Sequence, residues 1–353
     1  MEILLIIIAI LLFEFIIFIH EFGHFITAKK AGIWVKEFAI GMGPKIFSKQ
    51  KGDTLYSIRL FPIGGFCDME GENGEENEEV PSTTSFASKS IPKRMIVIVA
   101  GAILNILLGI ILMSIVLGQQ ELLPTMTVSA FAEDSKTESS GLMVNDTIVS
   151  IDGYSIHTEK DLSFAYATAN PDDVDITVRR NGEIVELNDL MLDSQEVEGR
   201  KIVSLDFFVY GEEPNFINVI QKSFADSYSI LRMVLGSLKG LITGEFGMND
   251  VSGPVGLTKA ISDAAATGLE TGFIDAFNNI LFMMAVLTIN LGVFNLLPFP
   301  ALDGGRFVFL LIEAIFKKKV PAKYEGIING IGFIILIGFM VIVTFKDIFM
   351  LIF

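Results

Sequence analysis

The chain has a single cysteine, Cys67, in 353 residues. One thiol cannot form an intrachain disulfide, so no disulfide framework supports the fold. No histidine or basic residue lies near it in sequence, and a thiol lining a small loop is a simpler reading than a catalytic one. Histidine is nearly as scarce, at three. Positive charge is also short: 26 Lys and Arg face 42 Asp and Glu, for a net charge of −16. That balance argues against nucleic acid as a partner. The acidity is uneven, with 20 acids and 6 bases between Glu121 and Glu213. It reads as the solvated surface of one segment.

What the chain does have is hydrocarbon. It is 51% hydrophobic with a mean hydropathy of +0.56, too apolar for an ordinary soluble protein. Four runs are long enough to cross a bilayer: Ile3–Phe25, Met95–Leu117, Ala276–Leu297 and Ile327 to about Phe345. The first lacks a basic leader and a small-residue cleavage site, so it reads as a retained helix rather than a signal peptide. Basic residues follow it (Lys29, Lys30, Lys36, Lys45, Lys49, Lys51, Arg59) and precede the second run (Lys89, Lys93, Arg94). Lys317, Lys318 and Lys319 follow the third. By the positive-inside rule these loops are cytoplasmic, and the N-terminus, C-terminus and acidic segment lie outside. The acidic run Asp68 to Glu79 bears little on that rule.

The intervening segments carry their own patterns. Gly41-Met42-Gly43-Pro44 is a turn signal, Thr54–Leu60 alternates like a strand, and Phe61–Phe66 mixes breakers with apolar residues. A β-hairpin dipping into the membrane fits, since irregular backbone enters only where protein or a cavity satisfies it. A surface hairpin is the alternative. The segment from about Thr125 to Phe208 has the composition of a small globular domain. Its Asn181-Gly182 predicts a hairpin turn, and Ala130 to Ser140 reads as a polar loop. Phe216–Leu241 has helical periodicity, and either lies on the outer interface or packs on the outer domain.

The chemistry concentrates in His20-Glu21-Phe22-Gly23-His24. Positions i and i+4 share a helix face, so the two imidazoles can meet one metal ion with Glu21 beside them as a base. Ionisable groups inside an apolar helix are costly and rarely incidental. The motif begins about 17 residues into the first run, roughly 25 Å along it, hence toward the cytoplasmic face. Two satisfied core histidines are the competing reading. A catalytic zinc usually takes three protein ligands and a water. His157 falls in the acidic outer segment and Cys67 is an alternative in a loop of unsettled form, so the third ligand is expected to be a carboxylate near the cytoplasmic half of a span. Glu14 shares the face of Glu21 about 10 Å away, and Glu313 sits in an apolar run near Lys317. Asp303 follows two helix-breaking prolines, Pro298 and Pro300, and precedes two glycines that permit close backbone approach. Asp303 is the choice, with Glu14 and Glu313 as alternatives. Glu14 is set aside as an intramembrane carboxyl, protonated or on a water path.

These residues give the chain a family likeness. It resembles the site-2 protease family of intramembrane zinc metalloproteases, in its bacterial RseP-like branch, over nearly its whole length. His20–His24 is similar to the family's first-helix motif, Asn295–Asp303 to its N-x-x-P-x-P-x-L-D element, and Phe61–Phe66 to its membrane-entering loop. Ser252-Gly253-Pro254-Val255-Gly256 resembles the turn ahead of the third helix, and Gly141–Gly153 the second half of a bacterial PDZ domain. The likeness implies an α-helical integral membrane protein of the cell membrane. It would have four transmembrane helices, a membrane-associated β-hairpin region and one inserted extracytoplasmic PDZ-like α+β domain. The expected boundaries are residues 1–27 for the first helix, 28–94 for the hairpin loop and 95–118 for the second helix. They continue with 121–210 for the PDZ-like domain, 214–272 for an amphipathic juxtamembrane region, 273–316 for the broken third helix and 327–353 for the fourth. The likeness further implies one Zn2+ held by His20, His24 and Asp303, with Glu21 as general base for attack of the activated water. Asn295 would hold substrate or the oxyanion. Pro298, Pro300, Gly64 and Gly65 are further candidates for substrate contact, Gly64 and Gly65 through an edge strand. The expected substrate is a transmembrane protein or a signal-peptide-like segment in the lipid bilayer, trimmed beforehand by a site-1 protease. Anti-sigma factors and signal-peptide remnants are examples. Departures from the family pattern are Arg306, where relatives often carry histidine, and Cys67 and Asp68 in the hairpin. With one PDZ domain and no evident carboxylate-binding loop, a steric filter is expected there. A metal transporter and a non-catalytic PDZ scaffold are the competing functions. The first would tolerate Glu21→Gln and the second Asp303→Asn.

Overall fold

The computed structural model describes residues 2–72, 82–197 and 200–352, so the acidic run after Glu72 lies outside the described residues. The chain divides into two compact units, Met1–Leu112 with Lys239–Phe353, and Met113–Leu238. The first unit opens with helix α1 (Glu2–Ala31). Leucine and isoleucine dominate its apolar run, and Gly32 ends it. Gly32 has φ +72°, and it donates to Lys29 O while Ile33 donates to Ala28 O at 2.9 Å. That pair of bonds closes the last turn as a Schellman motif. Strands β1 (Val35–Lys51) and β2 (Thr54–Met69) follow. The Gly41–Pro44 turn signal does not end β1. Instead Glu37–Ile40 is paired on both sides, with Gly65–Asp68 and with Leu55–Ile58, while Lys45–Lys51 pairs with Thr54–Arg59. The two long strands thus bend into a small sheet. Its inner part, Val35, Phe38, Cys67 and Met69, is buried against Phe18, Phe22 and Phe25 of α1. Its outer part exposes Met42, Ile46, Phe47, Ile58, Leu60 and Phe61. A patch this apolar marks contact with lipid or another apolar surface. Helix α2 (Ile91–Leu117) completes this half, with Pro92 in its first turn, where no intrahelical N–H is needed.

The second unit contains β3 (Leu123–Phe131), α3 (Lys136–Ser139), β4 (Thr147–Ile151), β5 (Tyr154–Ser155) and α4 (Glu159–Thr168). It continues with β6 (Val174–Arg180), β7 (Glu183–Leu190), β8 (Ser194–Val197), β9 (Arg200–Val203), β10 (Phe207–Glu212) and α5 (Phe216–Thr243), of which the part through Leu238 belongs to this unit. Its main sheet has the order β10-β3-β4-β6-β7, and β8 pairs with β9 separately. Val128, Ile148, Ile176, Leu162, Leu190 and Phe207 are in its core. Asn181 and Gly182 turn the β6–β7 hairpin at φ +51° and +89°, as the Asn-Gly pair predicts. The expected polar loop after Phe131 contains the short α3, started by Ser135, whose side chain accepts from Glu138 N. Helix α5 packs on this domain: Ser229 donates to Asp161 at 2.7 Å and Arg232 pairs with it at 3.2 Å. These contacts support the reading of Phe216–Leu241 as a helix packed on the domain.

The chain ends with α6 (Pro254–Thr271), α7 (Phe273–Leu296), α8 (Asp303–Phe316) and α9 (Ala322–Ile352) in the first unit. The region expected as amphipathic and juxtamembrane, 214–272, contains two α-helices joined by residues 244–253, with a short 3-10 turn at Met248–Asp250. The start of α6 is capped from far away: the Gly253 and Gly256 amides donate to Asp347 Oδ2 at 2.9 and 2.8 Å. Among the described residues, four helices are long and apolar enough to cross a membrane: Ile7–Ala31, Ile91–Leu117, Phe273–Leu296 and Lys323–Ile352. The fourth helix begins before Ile327, because Ala322–Glu325 adds a polar first turn.

Candidate metal centre

Helix α1 presents His20 and His24 on one face, both 7% exposed. Their Nε2 atoms lie 3.2 Å apart. Asp303 Oδ2 lies 3.1 Å from His20 Nε2 and 3.3 Å from His24 Nε2. Three donors on a tetrahedral zinc, at about 2.0–2.1 Å from the metal, are separated by about 3.3 Å. The triangle therefore matches the ligand set of a zinc ion, and it is the only such group among the described residues. Beyond those two imidazoles, Asp303 Oδ2 is buried and accepts no hydrogen bond, which also suits a cation ligand.

The surroundings orient the rings. His24 Nδ1 donates to Val97 O at 2.8 Å, which leaves the Nε2 lone pair free to bind metal. Asn105 of α2 is wholly buried and lies 3.4 Å from His20 Nδ1, and Thr288 donates to its backbone oxygen. Oδ1 is the unpaired atom of the Asn105 amide. A half-turn of that amide would let Oδ1 accept from His20 Nδ1–H, freeing His20 Nε2 in the same way. The close crossing of α1 and α2 rests on glycines. A Cβ on Gly23 would lie 2.6 Å from Ala100 O, and one on Gly101 would lie 2.5 Å from His24 Nε2. Sequence reading missed Gly101 and Asn105. The only signal for Asn105 was one amide in an otherwise apolar run.

Asp303 arrives through a broken helix. Leu297 precedes Pro298 and is extended, at ψ 141°, which ends α7. Ala301 takes φ +75°, and its amide donates to Asn329 Oδ1 at 3.2 Å. A Cβ on Gly304 would lie 2.2 Å from Leu297 O, so only glycine allows the chain to fold this tightly. Asp303 is the first residue of α8, where the unpaired amides of a helix start favour a carboxylate.

A cavity of about 580 Å3 opens on the triangle, lined by His20, Glu21, His24, Phe66–Met69, Glu72, Asn295, Ala301, Asp303 and Arg306. Glu21 and Asn295 thus reach the site. The Asn295 amide donates to Leu291 O at 3.0 Å. Gly65 packs against Glu21, with a Cβ there 3.5 Å from Glu21 Cγ. The cavity wall on that strand is Phe66–Met69 rather than Gly64 and Gly65. Among the described residues, Pro298 and Pro300 shape the loop and do not line the cavity, and Pro300 packs on Gly332. Arg306 pairs with Glu72 at the rim. The rejected ligand candidates have other partners: Glu313 takes a bidentate pair from Arg94 at 2.6 and 3.0 Å, and Glu14 accepts from Gly41 N. His157, half-exposed, lies in the second unit beside Arg232 and Asp161. Cys67 is buried in the cavity wall.

Comparison with known proteins gives a consistent picture. Residues 8–339 match the model of Peptidase family M50. A Clostridium perfringens relative named as a zinc metalloprotease is 37% identical over 344 residues, covering 97% of this chain and 98% of the relative. The zinc metalloprotease RasP of Shouchella clausii is 31% identical over 418 residues, covering 96% and 97%. The regulator of sigma-W protease RasP of Bacillus subtilis is 28% identical over 418 residues, again covering 96% and 97%.

Proposed function

The chain belongs to peptidase family M50, the site-2 proteases, and on that premise we propose that this multi-pass zinc metalloprotease cuts a peptide bond within the transmembrane segment of a membrane-protein substrate. The observation that carries the proposal is the ligand triangle of His20, His24 and Asp303, two of whose members lie inside the candidate span Ile7–Ala31. Zinc in that triangle would polarise the scissile carbonyl and lower the pKa of a water. Glu21, on the wall of the same cavity, takes the proton of the attacking water and passes it to the leaving amine. Asn295, turned from Leu291 O toward the cavity, donates to the developing oxyanion.

A transmembrane helix hides its carbonyls in hydrogen bonds, so the substrate must be extended before it is cut. Gly65–Met69 pairs with Val35–Ile40. An extended substrate would add as a strand along its other edge, beside the cavity that Phe66–Met69 line. The exposed apolar side chains of the hairpin support its entry into the bilayer. The basic clusters at Lys29–Lys30 and Lys317–Lys319 support a zinc site near the cytoplasmic face, with the termini outside. The domain of residues 121–210 is then an extracytoplasmic, PDZ-like filter. It holds back substrates with bulky outer parts until an upstream site-1 protease has trimmed them. The Bacillus subtilis relative is by name a regulator of sigma-W. A membrane-anchored anti-sigma factor fits as substrate, and so does a signal-peptide remnant.

The test uses purified full-length protein with a tagged model transmembrane substrate. Cleavage is expected to stop with a chelator and return with zinc. Glu21→Gln is expected to keep one zinc and lose about 10²- to 10⁴-fold in rate. No chelator-sensitive cleavage would end the proposal. Normal activity in Glu21→Gln would remove its general base and favour metal transport.

A further inference from the structure

Glu14 takes no part in the steps above, yet it is a carboxyl 8% exposed within an apolar helix. Such a group is costly unless something requires it. Its contact is with the hairpin: Gly41 N donates to Glu14 Oε1 at 3.0 Å. The other oxygen, Oε2, is buried and has no partner among the described residues. Gly41 is a bend, with φ +80°, where the backbone turns out of the ladder and its amide needs another acceptor; Gly64 on the neighbouring strand bends too, at φ +92°. Their positions are informative. Gly41 directly follows Glu37–Ile40, and Gly64 directly precedes its antiparallel partner Gly65–Asp68. Glu14 therefore holds β1 at Gly41, next to Ile40, which pairs with Gly65 at the start of the cavity-lining strand.

We propose that Glu14 is a positioning residue that anchors the start of the substrate-receiving strand Gly65–Met69 to the helix carrying Glu21. The inference rests on the reading of that strand as the substrate's partner. Seven residues separate Glu14 from Glu21, two turns along one face, or about 10 Å. Between them the strand lies on the helix: a Cβ on Gly65 would be 3.8 Å from Ile17 Cγ2 and 3.5 Å from Glu21 Cγ. One rigid element thus sets both the general base and the edge along which the scissile bond is laid. A slip of a single residue in that edge would exchange the faces of every side chain paired with it.

The test compares full-length enzyme with Glu14→Gln and Glu14→Leu on the tagged transmembrane substrate. Glutamine keeps an acceptor oxygen at the same reach, and leucine removes it. Glu14→Gln is expected to stay within about threefold of wild type. Glu14→Leu is expected to lose roughly 10- to 100-fold in kcat/KM, carried by KM, with one zinc still bound. A wild-type KM in Glu14→Leu, or equal damage in both variants, overturns the proposal. Zinc loss overturns it too, because Glu14 would then support the ligand helix and not the strand. Amide hydrogen exchange on the wild-type protein needs no variant to fold. Gly41 should exchange more slowly than Gly52 and Asp53 at the hairpin turn, and equal rates refute the anchor. A wild-type protein without chelator-sensitive cleavage would instead defeat the proposed function, an outcome separate from the exchange result.

Discussion

A methyl group on Gly101 is expected to disable the metal centre without altering any ligand. In Gly101→Ala the new Cβ would lie 2.5 Å from His24 Nε2 and 2.9 Å from His20 Nε2. Carbon and nitrogen normally approach to about 3.5 Å, so the His24 ring must retreat by nearly 1 Å. Metal–ligand distances tolerate about 0.2 Å. The other relief is for α2 to move away from α1. That crossing is already backbone on backbone, since a Cβ on Gly23 would meet Gly101 Cα at 2.8 Å. Moving α2 would also withdraw Val97 O and Asn105, which orient the two rings. Overpacking of this kind costs about 1–3 kcal/mol. Taken from metal binding, that is roughly 5- to 150-fold in zinc affinity. The assay is zinc per chain after dialysis against chelators of graded strength, with cleavage measured in parallel. Gly330→Ala serves as control, because nothing lies within 4 Å of a Cβ there. It should be neutral or slightly stabilising. Tightly held zinc and wild-type cleavage in Gly101→Ala would refute the idea that the spacing of α1 and α2 holds the imidazoles.

Two further perturbations test stability. The Arg94 and Glu313 side chains are 8% and 12% exposed, so Arg94→Met should cost about 3–5 kcal/mol by leaving a buried carboxylate unpaired. Adding Glu313→Leu should recover most of that loss in a thermal scan; a single variant as stable as wild type would contradict the pair's importance. Burial pushes the Asp226 carboxyl of α5 above the usual carboxylate range. The folded chain then holds this proton more tightly than the unfolded chain does. Stability tied to it is complete below the unfolded pKa of about 3.9 and is lost as pH rises through the folded value. Asp226→Asn should therefore raise the Tm at pH 7, with the gain vanishing toward pH 3; a gain independent of pH would rule this origin out.

The parts of the site legible in the sequence were those written in short-range patterns. His20 and His24 announce themselves by helical spacing in hydrocarbon, and Asp303 by the prolines and glycines around it. The β6–β7 turn was equally plain in Asn181-Gly182. What stayed hidden depends on long-range approach. Gly101 looks like any glycine of an apolar helix until α1 is laid against it. Glu14 finds Gly41 only because β1 bends back along the helix, and nothing local says that Glu37–Ile40 will be paired on both sides. Glu313 was a reasonable ligand candidate until Arg94, 219 residues away, claimed both its oxygens.

That last pair also bears on how the third ligand is fixed. His20 and His24 share a helix, so their separation is set by the helix itself. Asp303 belongs to another element, and its distance from them must be set by whatever holds α8. Gly304 and Gly305 press the start of α8 onto the carbonyls of Leu297 and Phe299. Asn329 of α9 holds the loop at Ala301. Arg306 ties the first turn to Glu72, just beyond the cavity-lining strand, and Glu313 ties the last turn to α2. Because α2 also presses Gly101 and Asn105 against the two imidazoles, all three ligands are referred to a single helix that contributes none. The candidate metal centre is assembled by this means: its proposed ligands come from α1 and α8, and α2 sets the distance between them.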